Sequence, residues 1–170
     1  LGRFTRQTRE ALGEVRSLMG SPANAQGQQP TLEELVGRII GDYEEILDVS
    51  LSVKTALFLR KVRPEAEDQL VPILREAFVN VLQHAGSNKA SLKVSQIGEQ
   101  VALVVANTDA TTTNLALATP TDVLARERGI GLESMQSRIQ HLDGRFAFES
   151  KFGVFTIKLQ IPIEAVFEAK

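Results

Sequence analysis

The hydrophobic period of this chain changes once, from the 3.6 residues of a helix before about Ala85 to the 2 residues of a strand after it. A chain that does this must pack helices against a sheet. Upstream of the change, Thr31-Leu32-Glu33-Glu34 has capping-box spacing and opens a helix with Leu32, Leu35, Ile39, Ile40, Tyr43 and Ile46 on its buried side, ending near Leu47. Asp48 to Leu57 alternates loosely around Val49 and Val53 and reads as a strand. Pro64 suits the first turn of a long helix that runs to about Ala85, with Leu70, Val71, Leu74, Ala77, Phe78, Val81 and Leu82 toward the core.

Downstream, Ala90 to Val94 and Val101 to Ala106 are two strands whose Gly98-containing connection suits an antiparallel hairpin. Asn107 to Arg128 has many Thr and little periodicity, the mark of a lid or binding loop. Gly129-Ile130-Gly131-Leu132 then leads into a helix through Leu142, followed by strands Arg145 to Glu149 and Val154 to Ile161 around Gly153. The expected class is α+β, a two-layer sandwich with helices on one face of a mixed, mostly antiparallel sheet.

At 170 residues the chain fits one main domain. With no Cys there are no disulfides or thiolate sites, and with only two His a zinc site is not expected. A net charge of -2 without basic clusters argues against nucleic-acid binding. No apolar run approaches the roughly 18 residues of a membrane span and no signal peptide opens the chain, so a cytoplasmic domain is expected. Phe4, Leu12, Val15, Leu18 and Met19 have helical spacing over residues 1–20, and residues 21–30, rich in Gln, Ala, Gly and Pro, read as a linker to a domain over 31–170. A start at Leu1 rather than Met is expected of a fragment, with room upstream for a membrane or sensory region.

The chemistry concentrates on the long helix. Glu76, Asn80 and His84 fall at i, i+4 and i+8, so one face carries a carboxylate, an amide and an imidazole. Those groups offer a proton acceptor, an oxygen for a hard cation and a donor for phosphate. The same residues are also ordinary occupants of a solvated helix face. Gly129 and Gly131 immediately before a helix allow close backbone approach to a ligand, and a helix N-terminus favours negative charge. Arg126 and Arg128 add positive charge nearby, although two glycines are equally a hinge.

Arg75-Glu76-Ala77-x-x-Asn80-x-x-x-His84-Ala85 resembles the N box of the ATP-binding domain of sensor histidine kinases, in the superfamily shared with gyrase and MutL. Its wording is similar to the nitrate-sensor and DesK-like subfamily. Gly129 to Ile139, Leu142-x-Gly144 and Ser150-x-x-Gly153-x-x-Thr156 resemble that subfamily's G2 region and closing strands, and Thr8 to Met19 resembles the end of a second dimerisation helix.

The resemblance implies a Bergerat-type ATP-binding fold using ATP and Mg²⁺. Asn80 would bind Mg²⁺ and phosphates, Glu76 would act at the reacting end, and His84 would lie near the phosphates or lid. Gly129, Gly131 and Leu132 would cradle the phosphate chain beside Arg128, and Thr156 would lie behind the adenine. The acceptor would be a histidine on a dimerisation helix outside the chain, since neither His84 nor His141 has that context; His141 reads as a helix C-cap or partly buried residue. The full-length protein would be a homodimer serving a response regulator, of the LuxR-like type.

Two departures from the family pattern stand out. Where the G1 box has an Asp that accepts from the adenine amino group, this chain has Asn107, with Asp109 two residues on and no glycine following. Where the last motif has its second glycine, the chain has Phe155. The alternative is therefore a degenerate pseudokinase domain that keeps the fold for signalling interactions.

Overall fold

The computed structural model describes residues 28–84, 88–107, 130–151 and 154–169. The dimerisation-type helix expected over 1–20, most of the linker over 21–30, and the lid beyond Asn107 lie outside the described residues.

Helix α1, Leu32–Gly41, begins where the capping box places it. The Thr31 N–H donates to Glu34 Oε2 at 2.7 Å and the Glu34 N–H donates to Thr31 Oγ1 at 3.2 Å. The helix stops at Gly41, short of the expected Leu47. Glycine is a poor helix former, and Asp42 is held by Arg75 Nη2 at 2.7 Å while the Tyr43 ring meets Phe78 edge-on at 5.6 Å. The turns this creates still bury Tyr43 and Leu47. Strand β1, Asp48–Val53, is likewise shorter than expected, and Thr55–Phe58 forms a short helix, α2, that buries Leu57.

Helix α3, Pro64–His84, matches its expected span. Ala66, Leu70, Ile73, Leu74, Ala77, Phe78 and Val81 recur three or four residues apart and are essentially inaccessible. A large apolar side chain buried this way contributes about 1.5 to 3 kcal/mol, enough to carry Pro72 within the helix despite its missing N–H.

Strands β2 (Lys89–Ile97), β3 (Gln100–Ala106), β4 (Arg145–Lys151) and β5 (Val154–Pro162) complete a five-stranded sheet in the order β1-β2-β3-β5-β4. Among the described residues only the β1–β2 pair is parallel. Gly98, at φ +59, closes the β2–β3 hairpin in the left-handed region. Paired positions set Leu92, Val105, Ile157 and Phe148 in one row across the sheet, and all four belong to the core beneath the helices. The class is α+β, as the change of period requires.

Helix α4, Ile130–Gln140, packs on α3 and β4, and the short α5, Ile163–Val166, follows β5. The turn from α4 into β4 explains the Leu142-x-Gly144 pattern. The Gly144 N–H donates to the Ile139 carbonyl at 3.0 Å. A Cβ on Gly144 would lie 2.9 Å from the Gln160 carbonyl oxygen and 2.8 Å from Ile139 Cγ1.

Candidate functional site

Two contacts fix how α4 lies on α3. Gly131, in the first turn of α4, approaches Glu76 so closely that a Cβ there would sit 2.9 Å from the Glu76 Cδ and overlap its Oε1. Near the other end, Arg138 Nη1 donates to Gln69 Oε1 at 3.3 Å. Moving forward along α4 from Gly131 to Arg138 thus moves backward along α3 from Glu76 to Gln69, so the helices run antiparallel. Asn80 is one turn beyond Glu76, roughly 6 Å farther along α3. That puts it past the N-terminal end of α4.

Asn80 is 9 % exposed, and its Nδ2 is buried with no hydrogen-bond partner among the described residues. The face carrying Glu76 and Asn80 is therefore half-buried to buried rather than solvated. A buried amide left unsatisfied costs about 1 to 3 kcal/mol. An orphaned donor of this kind beyond a helix end suits a ligand that carries oxygens. The first N–H groups of α4 have no intrahelical acceptors and carry the positive end of the helix dipole. The arrangement can thus bind an anion with backbone N–H groups and with the Asn80 amide, which offers either a donor or an oxygen ligand.

Among the described residues no three His, Cys, Asp or Glu converge as a metal cage. A donor set of one amide and one carboxylate fits Mg²⁺ held jointly with a phosphate ligand, since Mg²⁺ keeps waters and takes few protein ligands. Leu132, beside Gly131, is 7 % exposed and packs into the core. His84 closes α3, but its side chain lies outside the described part of the structure, as do Asp109, Arg126, Arg128 and Gly129.

Asn107 continues β3 by one residue and is 3 % exposed. Its Oδ1 accepts the Phe155 N–H at 2.9 Å while its own N–H donates to the Phe155 carbonyl at 3.2 Å. This side chain clasps the ends of β3 and β5 together. Phe155 itself is buried and lies 4.9 Å from the Phe148 ring. The bulky residue in the place of a glycine thus belongs to the core.

Thr156 lies on β5, where it pairs with Ala106 and Glu149 and alternates with Phe155 and Ile157, which face the helices. Its side chain therefore lies on the sheet's other face, away from Asn80 and Glu76. His141, at the end of α4, bonds through Nδ1 to the Ser137 carbonyl at 2.7 Å, the capping role expected of it. The antiparallel register of α4 on α3, which brings Gly131 to Glu76, has no signal in the sequence.

No family model matches the chain. The fold is the one seen in histidine kinase catalytic domains. The nucleotide-free catalytic domain of histidine kinase ThkA matches with a TM-score of 0.57 at 16% identity, over 78% of this chain and 93% of that one. Full-length ShkA, solved in complex with AMPPNP, matches with a TM-score of 0.59 at 18% identity, over 96% of this chain and 38% of that one. Among curated proteins, the sensor histidine kinase MctS of Rhizobium johnstonii is 24% identical over 123 residues, which are 72% of this chain. The chain spans about a quarter of that relative, 26% of its length.

Proposed function

We propose that residues 31–170 are the ATP-binding catalytic domain of a sensor histidine kinase, using Mg-ATP to phosphorylate a histidine on a dimerisation helix. The observation that carries this reading is the buried, unpartnered Asn80 amide beyond the first turn of α4, with the Glu76 carboxylate against Gly131. In this reading Asn80 holds Mg²⁺ and phosphate oxygens, the α4 N-terminus with Gly129, Gly131 and Leu132 cradles the phosphates, and Glu76 orients the reacting end. His84 and Arg128 complete the charge around the phosphates. Asn107 and Asp109 would serve the base in this reading, with the Asn107 side-chain carbonyl already accepting the Phe155 N–H. These groups work by positioning and by neutralising charge, the terms that dominate phosphoryl transfer.

The whole protein in this reading is a homodimer joined through the helix that ends in residues 1–20, passing phosphate to a response regulator of the LuxR-like type. The domain works in the cytoplasm, on its own or behind a membrane anchor. A scaffold-only role draws support from the Asn107–Phe155 clasp but leaves the orphaned Asn80 amide without a purpose.

Titration of the chain with AMPPNP, with and without Mg²⁺, tests the proposal. Mg-dependent binding that Asn80→Ala abolishes is expected. No binding by the wild-type chain at millimolar AMPPNP with Mg²⁺ would leave the scaffold role.

A further inference from the structure

Strand β1 ends the sheet, and among the described residues no strand lies along its outer edge. An open edge is a template for another strand, and folded chains usually blunt it with charge or proline. The opposite edge strand, β4, follows that rule with Arg145, Glu149 and Lys151. The stretch Val49-Ser50-Leu51-Ser52-Val53 in β1 carries neither. Val49 and Val53 are half-buried against the core, so Leu51 between them shares their helix-side face, where it is 39 % exposed. The Asp48 N–H donates to the Asn88 carbonyl at 2.7 Å and the Lys54 N–H to the Val94 carbonyl at 3.3 Å. The even-numbered residues thus turn their backbone toward β2, and Val49, Leu51 and Val53 turn theirs outward.

The stretch reads the same in both directions about Leu51. In an antiparallel pair of identical strands centred there, Val49 opposes Val53, Ser50 opposes Ser52 and Leu51 opposes its own copy. The flanking residues complement each other too, since the exposed Asp48 falls against the exposed Lys54 at both ends. The outward-turned residues are the ones this register makes into hydrogen-bonded pairs.

We infer that β1 pairs with β1 of a second copy of this chain, antiparallel about a two-fold axis at Leu51, so that two sheets become one. Such an interface is self-complementary and closes at two copies, leaving neither β1 edge open to a third. Leu51 then packs on its own copy across the axis, between Val49–Val53 pairs, and the charges meet at the rim. The seam lies at the sheet edge opposite β4, on which α4 packs, and is independent of nucleotide binding. It is also separate from the dimerisation helix expected over residues 1–20, which a measurement of mass alone would confuse with it.

Disulfide trapping in the 170-residue chain tests the seam, because the chain has no Cys of its own. Ser50→Cys mixed with Ser52→Cys should form a disulfide-linked heterodimer under mild oxidation, since these positions oppose each other about 4.5 Å apart between Cα atoms. Either variant alone holds its two thiol-bearing residues about 8 Å apart, beyond a disulfide's reach. Leu51→Lys, which sets two like charges on the axis, should reduce trapping in the mixture at least about ten-fold when added to both variants. Should that substitution lower the melting temperature, Asp48→Lys, which opposes Lys54 with like charge, takes its place. Trapping in the mixture no greater than in either variant alone overturns the seam, as does trapping that the added lysine leaves undiminished. A wild-type chain that sediments as a monomer up to about 1 mM, or only as open-ended oligomers, overturns it as well.

Discussion

Asn80 and Asn107 are both buried amides on the helix side of the sheet, yet removing them should affect stability in opposite ways. The Asn80 Nδ2 has no partner among the described residues, so Asn80→Leu, which keeps the branched shape without polar atoms, should stabilise the ligand-free chain by about 1 kcal/mol. That corresponds to a melting temperature higher by about 3 °C in a domain of this size, together with loss of nucleotide binding. Asn107 has its Oδ1 on the Phe155 N–H at 2.9 Å, and Asn107→Ala would strand that donor, a loss of about 2 kcal/mol measurable by urea unfolding. The spacing of Glu76, Asn80 and His84 makes the first residue legible in the sequence. The second residue's position is equally visible, but its partner is not, because a bond between residues 48 apart depends on strand pairing. The face that Thr156 presents is hidden for the same reason, since a face assignment needs strand register.

At the scale of elements, glycines separate exposed helix from tight packing. Gly37 lies inside α1, and a methyl group added to it would meet nothing within 4 Å, so Gly37→Ala should stabilise by about 0.5 to 1 kcal/mol through helix propensity and chain entropy. Gly144 faces backbone oxygen at 2.9 Å, which cannot yield as a flexible side chain would, and Gly144→Ala should cost about 1 to 3 kcal/mol. Chemical denaturation of the pair checks both signs. The start of α1 adds a pH dependence. The bond from the Thr31 N–H, with the Thr31 hydroxyl, holds the Glu34 carboxyl below its ordinary 4.5. A depressed carboxylate pKa stabilises the fold above 4.5 and loses that contribution as the pH falls through the lowered value. Glu34→Gln should flatten this acid limb in a melting-temperature series. The capping box is legible because it is local, whereas the early stop at Gly41 and the short helix Thr55–Phe58 answer to tertiary contacts of Tyr43, Asp42 and Leu57.

For the molecule as a whole, the change of period dictates the two-layer class, and the strand order β1-β2-β3-β5-β4 is what tertiary pairing adds. The core lies between the sheet and its helices, while the candidate site sits at one end of that interface, where α3 outruns the start of α4. In the proposed reading this site holds a nucleotide while the acceptor of its phosphate lies outside the domain. His141 is tied to the Ser137 carbonyl at the far end of α4 from Gly131, and His84 closes the helix that bears Glu76 and Asn80. The His141 ring is thus engaged within its own element. The 170-residue chain incubated with γ-labelled ATP and Mg²⁺ should therefore bind nucleotide, and gain thermal stability as the ligand rises above its Kd, without forming acid-labile phosphohistidine. Label retained on the chain, and lost in His84→Ala or His141→Ala, would instead place the acceptor within this domain and overturn the division of labour proposed for it.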